Sequence, residues 1–141
     1  MTNFLPRRST ILALAGMLAL GSPLVAGAQA LKSGEQVYAE TCSACHAAGV
    51  ANAPKFGDRK AWAPLIKEGQ PTLTAHAWVG LRAMPPKGGR QDLALEEFAR
   101  AVVHMARAGG AGWKDPDAAL MDRIRKEEAK RVAELKGKAK P

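Results

Sequence analysis

The hydrophobic positions along the chain change their spacing several times, and each change marks an element. Ile11 to Leu20 is an unbroken apolar run, cut off by Pro23. Ser33 followed by Gln36 reads as a capping box, so a helix starts near Gly34 and carries Val37 and Tyr38 on one face towards Cys42. Glycine weakens a helix unless another backbone comes close, so Gly34 is read as the crossing point with the C-terminal helix. Ala47 to Lys60 is irregular and contains Pro54. Ala61 to Glu68 predicts a short helix, with Trp62 and either Leu65 or Ile66 inward, stopped by Gly69 and Pro71. Leu73, Ala77, Gly80 and Leu81 repeat at helical spacing and predict another. The segment from Ala83 to Gly89 holds Pro85 and Pro86, which cannot sit inside a helix, and reads as a stiff, extended loop. Leu95, Phe98, Ala99, Val102, Val103 and Met105 mark an amphipathic helix from about Ala94 to Ala108, ended by Gly109 and Gly110. Lys114 to Pro141 carries nine basic and six acidic residues around a thin stripe of Leu120, Ile124, Val132 and Leu135. It reads as a charged helix with a frayed, lysine-rich end. The bland reading is a solvated appendage; the alternative is docking to a partner or, peripherally, to anionic membrane.

These segments divide the chain into three: 1–30, 31–110 and 111–141. The first has the pattern of a secretory signal peptide, with Arg7 and Arg8 ahead of the apolar run and small residues at Ala26-Gly27-Ala28 and Ala28-Gln29-Ala30. Cleavage is expected after Ala30, with Ala28 as the alternative. An uncleaved anchor is disfavoured because the run falls short of the ~20 residues a span needs. The paired arginines also raise twin-arginine export. A periplasmic protein is the expectation.

The full chain has 141 residues and a formal charge of +8, and the leader takes two arginines and no acid with it. A remainder this small has little core of its own, and aromatic residues make up only 5 % of the chain. A large, flat, apolar cofactor would supply the missing buried surface. The basic residues are scattered among acids, which argues against nucleic acid, while the net positive charge would steer the protein towards redox partners with acidic docking surfaces.

The chemistry concentrates in Cys42-Ser43-Ala44-Cys45-His46, which contains the chain's only two cysteines. Cys-x-x-Cys-His is the signature of c-type haem attachment: each thiol closes a thioether to a haem vinyl group, and the turn between them places His46 beneath the iron. A thioredoxin-like dithiol would want a strand before the motif, and a zinc site would want a second pair of ligands. Neither is present in the sequence. Pro54 is either a source of the carbonyl that a ligating histidine usually engages or a plain turn proline. Methionine is usually core filler, but Met84 sits on a stiff loop far from the cysteines, where a second axial ligand would come from. Met105 and Met121 fall in helices, and Met17 leaves with the leader. His76 on its short helix reads as solvated or hydrogen-bonded.

Val37-Tyr38, Thr41 to His46, Gly49-Val50, Ala53 to Asp58, Ala61-Trp62, Pro64 and Met84 to Gly89, taken together and in order, closely resemble the cytochrome c5 family of class I c-type cytochromes. The resemblance implies an all-α class I cytochrome c fold around one covalently bound haem c, with an extra charged C-terminal helix. It implies thioethers at Cys42 and Cys45, His46 and Met84 as iron ligands, the Pro54 carbonyl orienting His46, and Trp62 within the cofactor site. Three positions depart from the family. Leu65 stands where arginine is common, which removes a candidate propionate partner. His104 replaces a common tyrosine, altering packing or placing a titrating group near the haem. Ala94 replaces a serine cap, worth about 1 kcal/mol. The segment after Gly110 lies outside the likeness.

The function expected is single-electron transfer, not catalysis, since two axial ligands leave no open coordination position. Lys55, Arg59, Lys60, Arg82, Lys87 and Arg90 are the candidate docking charges. Two other classes compete. One is a haem subunit of a larger oxidoreductase, for example in sulfur-compound oxidation. The other is a gas-binding or peroxidase-like protein, which needs an open sixth position.

Overall fold

A computed structural model describes residues 30–138; the expected leader, its Pro23, the alternative cleavage position at Ala28, Met17 and the last three residues lie outside them. The described residues are helical, with no strand among them and one isolated bridge between Leu81 and Met84. None of these helices is long and apolar enough to cross a membrane.

The chain enters through α1 (Gly34–Val37), a π-helical turn (Tyr38–Cys42) and α2 (Ser43–His46). Ser33 and Gln36 form the expected capping box. The π turn has a register consequence. Val37 and Cys42 are both buried, yet five residues of α-helix would set them about 140° apart. The wider turn, closed by the Ser43 N–H on the Tyr38 carbonyl, brings both to the inner face, and His46 follows four residues later.

α5 (Leu95–Ala108) is the helix that α1 crosses, and Gly34 is the point of contact: a β-carbon there would collide with the Arg100 carbonyl. The C-terminal helix that Gly34 was expected to meet is therefore the last helix of the haem-domain segment, not the chain's last helix. Ala94 provides no side-chain cap to α5. Only the reciprocal bond survives, from the Ala94 N–H to Glu97, whose second oxygen accepts the Lys32 N–H at 3.0 Å. At the other end Gly110, at φ +103°, closes a Schellman turn in which Ala111 N–H reaches the Ala106 carbonyl.

α3 (Arg59–Lys67) starts two residues earlier than expected because Asp58 caps it, accepting from the Lys60 and Ala61 N–H groups. Gly69 and Pro71 do more than stop it. They open α4 (Gln70–Val79), with Pro71 in its first turn, where the missing N–H has no cost. Gly80 ends α4, so Leu81 belongs to the following turn and not to the helix. The Met84 segment is less extended than expected: Leu81 and Met84 pair across a tight turn, Pro85 is extended, and Pro86–Gly89 forms a second turn with Lys87 and Gly88 in the left-handed region.

The charged tail is where expectation and structure differ most. α6 (Ala118–Lys138), capped by Asp117 at the Leu120 N–H, lies along α4 and touches the start of α5 through side chains. Leu120, Met121 and Ile124 pack with Ala99 and Leu95 as a second, smaller core. Only the later part matches a solvated appendage, with Leu135 37 % exposed. A helix whose first turns bury three large apolar side chains is part of the folded unit.

Candidate haem site

The first helix, its loop and the Met84 turn converge on one cavity of about 250 Å³. Its walls include Cys42, Cys45, His46, Pro54, Trp62 and Met84, so all six residues singled out from the sequence share one space. His46 is nearly buried, and its Nδ1 lies 2.9 Å from the Pro54 carbonyl oxygen. Nδ1 as the donor leaves Nε2 with its lone pair available to a metal. Of the two roles weighed for Pro54, the structure displays the carbonyl one.

Trp62 is 3 % exposed and holds the same loop from the other side, its indole N–H donating to the Lys55 carbonyl at 2.8 Å. Its ring centre is 6.3 Å from that of His46. Gly109 makes room for it, since a β-carbon there would stand 2.5 Å from the Trp62 β-carbon.

The two cysteines have different surroundings: Cys42 is buried and Cys45 exposed. Burial, helped by the neighbouring Cys45, pushes the Cys42 thiol up to about 11. On the opposite chain segment, Met84 is seated by Gly80, at φ +99°, where a β-carbon would press on the Pro86 nitrogen and the Met84 carbonyl.

This donor set fits a c-type haem. It supplies two thiols, an imidazole with one nitrogen committed, and a soft thioether within one mostly apolar cavity. Thr41 is another wall residue, although its Oγ1 is turned away from the open space and buried without a hydrogen-bond partner. Leu65, the residue in the arginine position, lines the wall and brings no charge.

Sequence reasoning missed several wall residues. His76 is hydrogen-bonded as read, its Nδ1 2.9 Å from Glu68, eight residues earlier, but its place on the cavity wall was not foreseen. Met105 is another, fixed in α5 and buried, so a second thioether faces the same space from a rigid helix. His104 does not line it. It stacks on Phe56 at 5.1 Å and tilts against Tyr38 at 5.4 Å, so its part is in packing, within an aromatic trio outside the cavity. Among the described residues no cluster of three or more His, Cys, Asp or Glu could hold a separate metal ion.

The candidate docking charges separate into two groups. Arg90 forms a bidentate pair with Asp92, both bonds at 2.9 Å, which draws the Asp92 carboxyl down to about 2. Lys87 lies over the Trp78 ring. Lys55, Arg59, Lys60 and Arg82 are exposed, and no ion pair engages them among the described residues.

Known proteins match this chain over the segment that forms the site. The family model for cytochrome c oxidase, cbb3-type, subunit III, matches residues 29–105. Cytochrome c5 of Azotobacter vinelandii is 43 % identical over 77 residues, covering 53 % of this chain and 93 % of that protein. Cytochrome c-555 of Chlorobaculum tepidum is 38 % identical over 77 residues, covering 52 % of this chain and 71 % of that protein. A solved chain from an electron transfer complex of nitrite reductase with cytochrome c superposes with a TM-score of 0.52 at 45 % identity, covering 54 % of this chain and 93 % of that one. The family-model match ends at Met105, before α6.

Proposed function

Because the chain belongs to the cytochrome c5 family of class I c-type cytochromes and carries haem c, we propose that it is a periplasmic monohaem electron carrier with His46 and Met84 as axial ligands. The observation that carries this reading is the shared cavity: His46, its Nδ1 engaged by Pro54, and Met84, from a separate loop, both line the space that also receives the two thiols. The bound haem supplies reversible one-electron chemistry at its iron. The chain does the rest. Cys42 and Cys45 would hold the group through two thioethers, each S–H adding across a vinyl group with no net oxidation. Pro54 fixes the imidazole's tautomer and plane. Trp62, Leu65, Leu73 and Val102 keep water from the site, and Met84 supplies a neutral, soft sulfur that favours the reduced state.

Export by residues 1–30 belongs to the same reading, through Arg7, Arg8 and the apolar run after them. Redox proteins are the partners, and the exposed Lys55, Arg59, Lys60 and Arg82 suit an acidic docking surface reached through brief contacts. A difference spectrum of the exported holoprotein, reduced minus oxidised, tests the assignment together with Met84→Ala. The wild type is expected to show the weak red-edge band of methionine–iron ligation and to resist carbon monoxide. The variant is expected to lose the band and bind the gas. A variant with an unchanged axial field and potential would overturn the ligand assignment.

A further inference from the structure

The geometry points to α6 as a clasp on the methionine loop: Trp78 and Glu128 are positioning residues that help hold Met84 in place, an inference resting on the His/Met reading above. Trp78 lies at the end of α4, two residues before the glycine on which the Met84 turn is seated. Three groups grip its indole. Phe98 of α5 meets it edge-on with ring centres 5.3 Å apart. Lys87, three residues beyond Met84, places its ammonium 4.8 Å above the ring centre. From α6, the Glu128 carboxylate accepts the indole N–H at 2.9 Å.

The indole is therefore a junction. One side belongs to the loop that carries the sulfur, and the other to a helix beyond the family-model match. A carboxylate bonded to the indole N–H enriches the ring face in electrons and strengthens its attraction for the lysine above. α6 is itself anchored in the turn that leads up to this bond. Ile124 is buried against Ala99, and Arg125 pairs with Glu96 on α5 at 3.2 Å. The linker before it is tied down by Gln70 on the Lys114 carbonyl and by Arg107 on Asp115. The grip is thus braced by the second core and is not a contact of a swinging tail.

The loop must leave the iron before an external ligand can take its position, so the clasp sets how often the site opens. The test uses exported holoprotein: wild type, Glu128→Ala, Trp78→Phe, the double variant and Glu128→Gln. The readouts are the methionine–iron band of the oxidised protein and the limiting rate of imidazole binding at saturating imidazole. Each single variant is expected to bind imidazole about tenfold faster, the factor one charge-assisted hydrogen bond supplies. The double variant is expected to be no faster than either single, and Glu128→Gln, which keeps an acceptor oxygen but loses the charge, to fall between wild type and Glu128→Ala. Glu128→Ala leaves the core untouched, so misfolding in Trp78→Phe does not decide the outcome. Single variants at the wild-type rate, with the band intact in the wild type, would overturn the clasp and leave the His/Met reading standing. So would a double variant whose effect is the product of the singles. A wild type without the band would defeat the His/Met reading, and the clasp with it.

Discussion

Gly34 lies against the carbonyl of Arg100 so closely that α1 and α5 have no room for a β-carbon between them. The crossing positions the first helix over the core, and with it Cys42 and His46. Alanine would gain about 1 kcal/mol in helix propensity, but the obstructing atom is backbone and cannot rotate away. Gly34→Ala is expected to cost about 1–3 kcal/mol net, lowering the melting temperature of the holoprotein by several degrees. An unchanged melt would mean that the helices separate at little cost.

The two thiols should differ in reactivity in the haem-free chain. Cys42 is buried with its thiol raised from 9.0 to about 11, whereas Cys45 is exposed. The fold favours the neutral thiol, so this contribution to stability is intact below pH 9 and is lost as pH rises through about 11. Iodoacetamide with peptide mapping at mildly alkaline pH should label Cys45 first, with Cys42 catching up only at higher pH. Equal labelling would show that the haem-free chain does not hold Cys42 in its folded position. Once the thioethers are formed, neither residue should react.

The docked and undocked parts of α6 should respond differently to truncation of their side chains. Ile124 is fully buried, and Ile124→Ala is expected to destabilise by about 2–5 kcal/mol. Leu135 is 37 % exposed, and its alanine variant should stay within about 0.5 kcal/mol of wild type. Denaturant titration of the holoprotein checks both.

Electrostatic steering should depend on the exposed group of cations. Charge reversal at Lys55, Lys60 or Arg82 is expected to slow association with a redox partner and flatten its dependence on ionic strength, with little effect on dissociation. Stopped-flow mixing at several salt concentrations measures it, and a partner whose on-rate ignores all three reversals would remove the acidic-surface idea.

Legibility along the chain followed how local each signal is. The Cys42 to His46 motif, the Ser33 cap and the amphipathic α5 are written in neighbouring residues, and the structure places them as read. The π turn was not readable, because five-residue spacing between Val37 and Cys42 looks merely irregular in a chain assumed to be α-helical. The thin stripe on α6 suggested a solvated helix, although Leu120 and Ile124 are buried. Whether a sparse stripe is covered depends on the shape of its neighbour, here a face of α5 whose Ala99 leaves space for them.

By itself, the sequence determined the cofactor class, through a Cys-x-x-Cys-His run with the pattern of haem c attachment, and a helical class that follows from local periodicity. Tertiary structure alone decided which distant groups share a site. His76 on the cavity wall, His104 in an aromatic trio, and Glu128 on an indole fifty residues away are such cases. The physical reason is range. Helix spacing and capping act within a few residues, whereas a carboxylate finds an indole only after two helices have buried their apolar faces and fixed the distance between them.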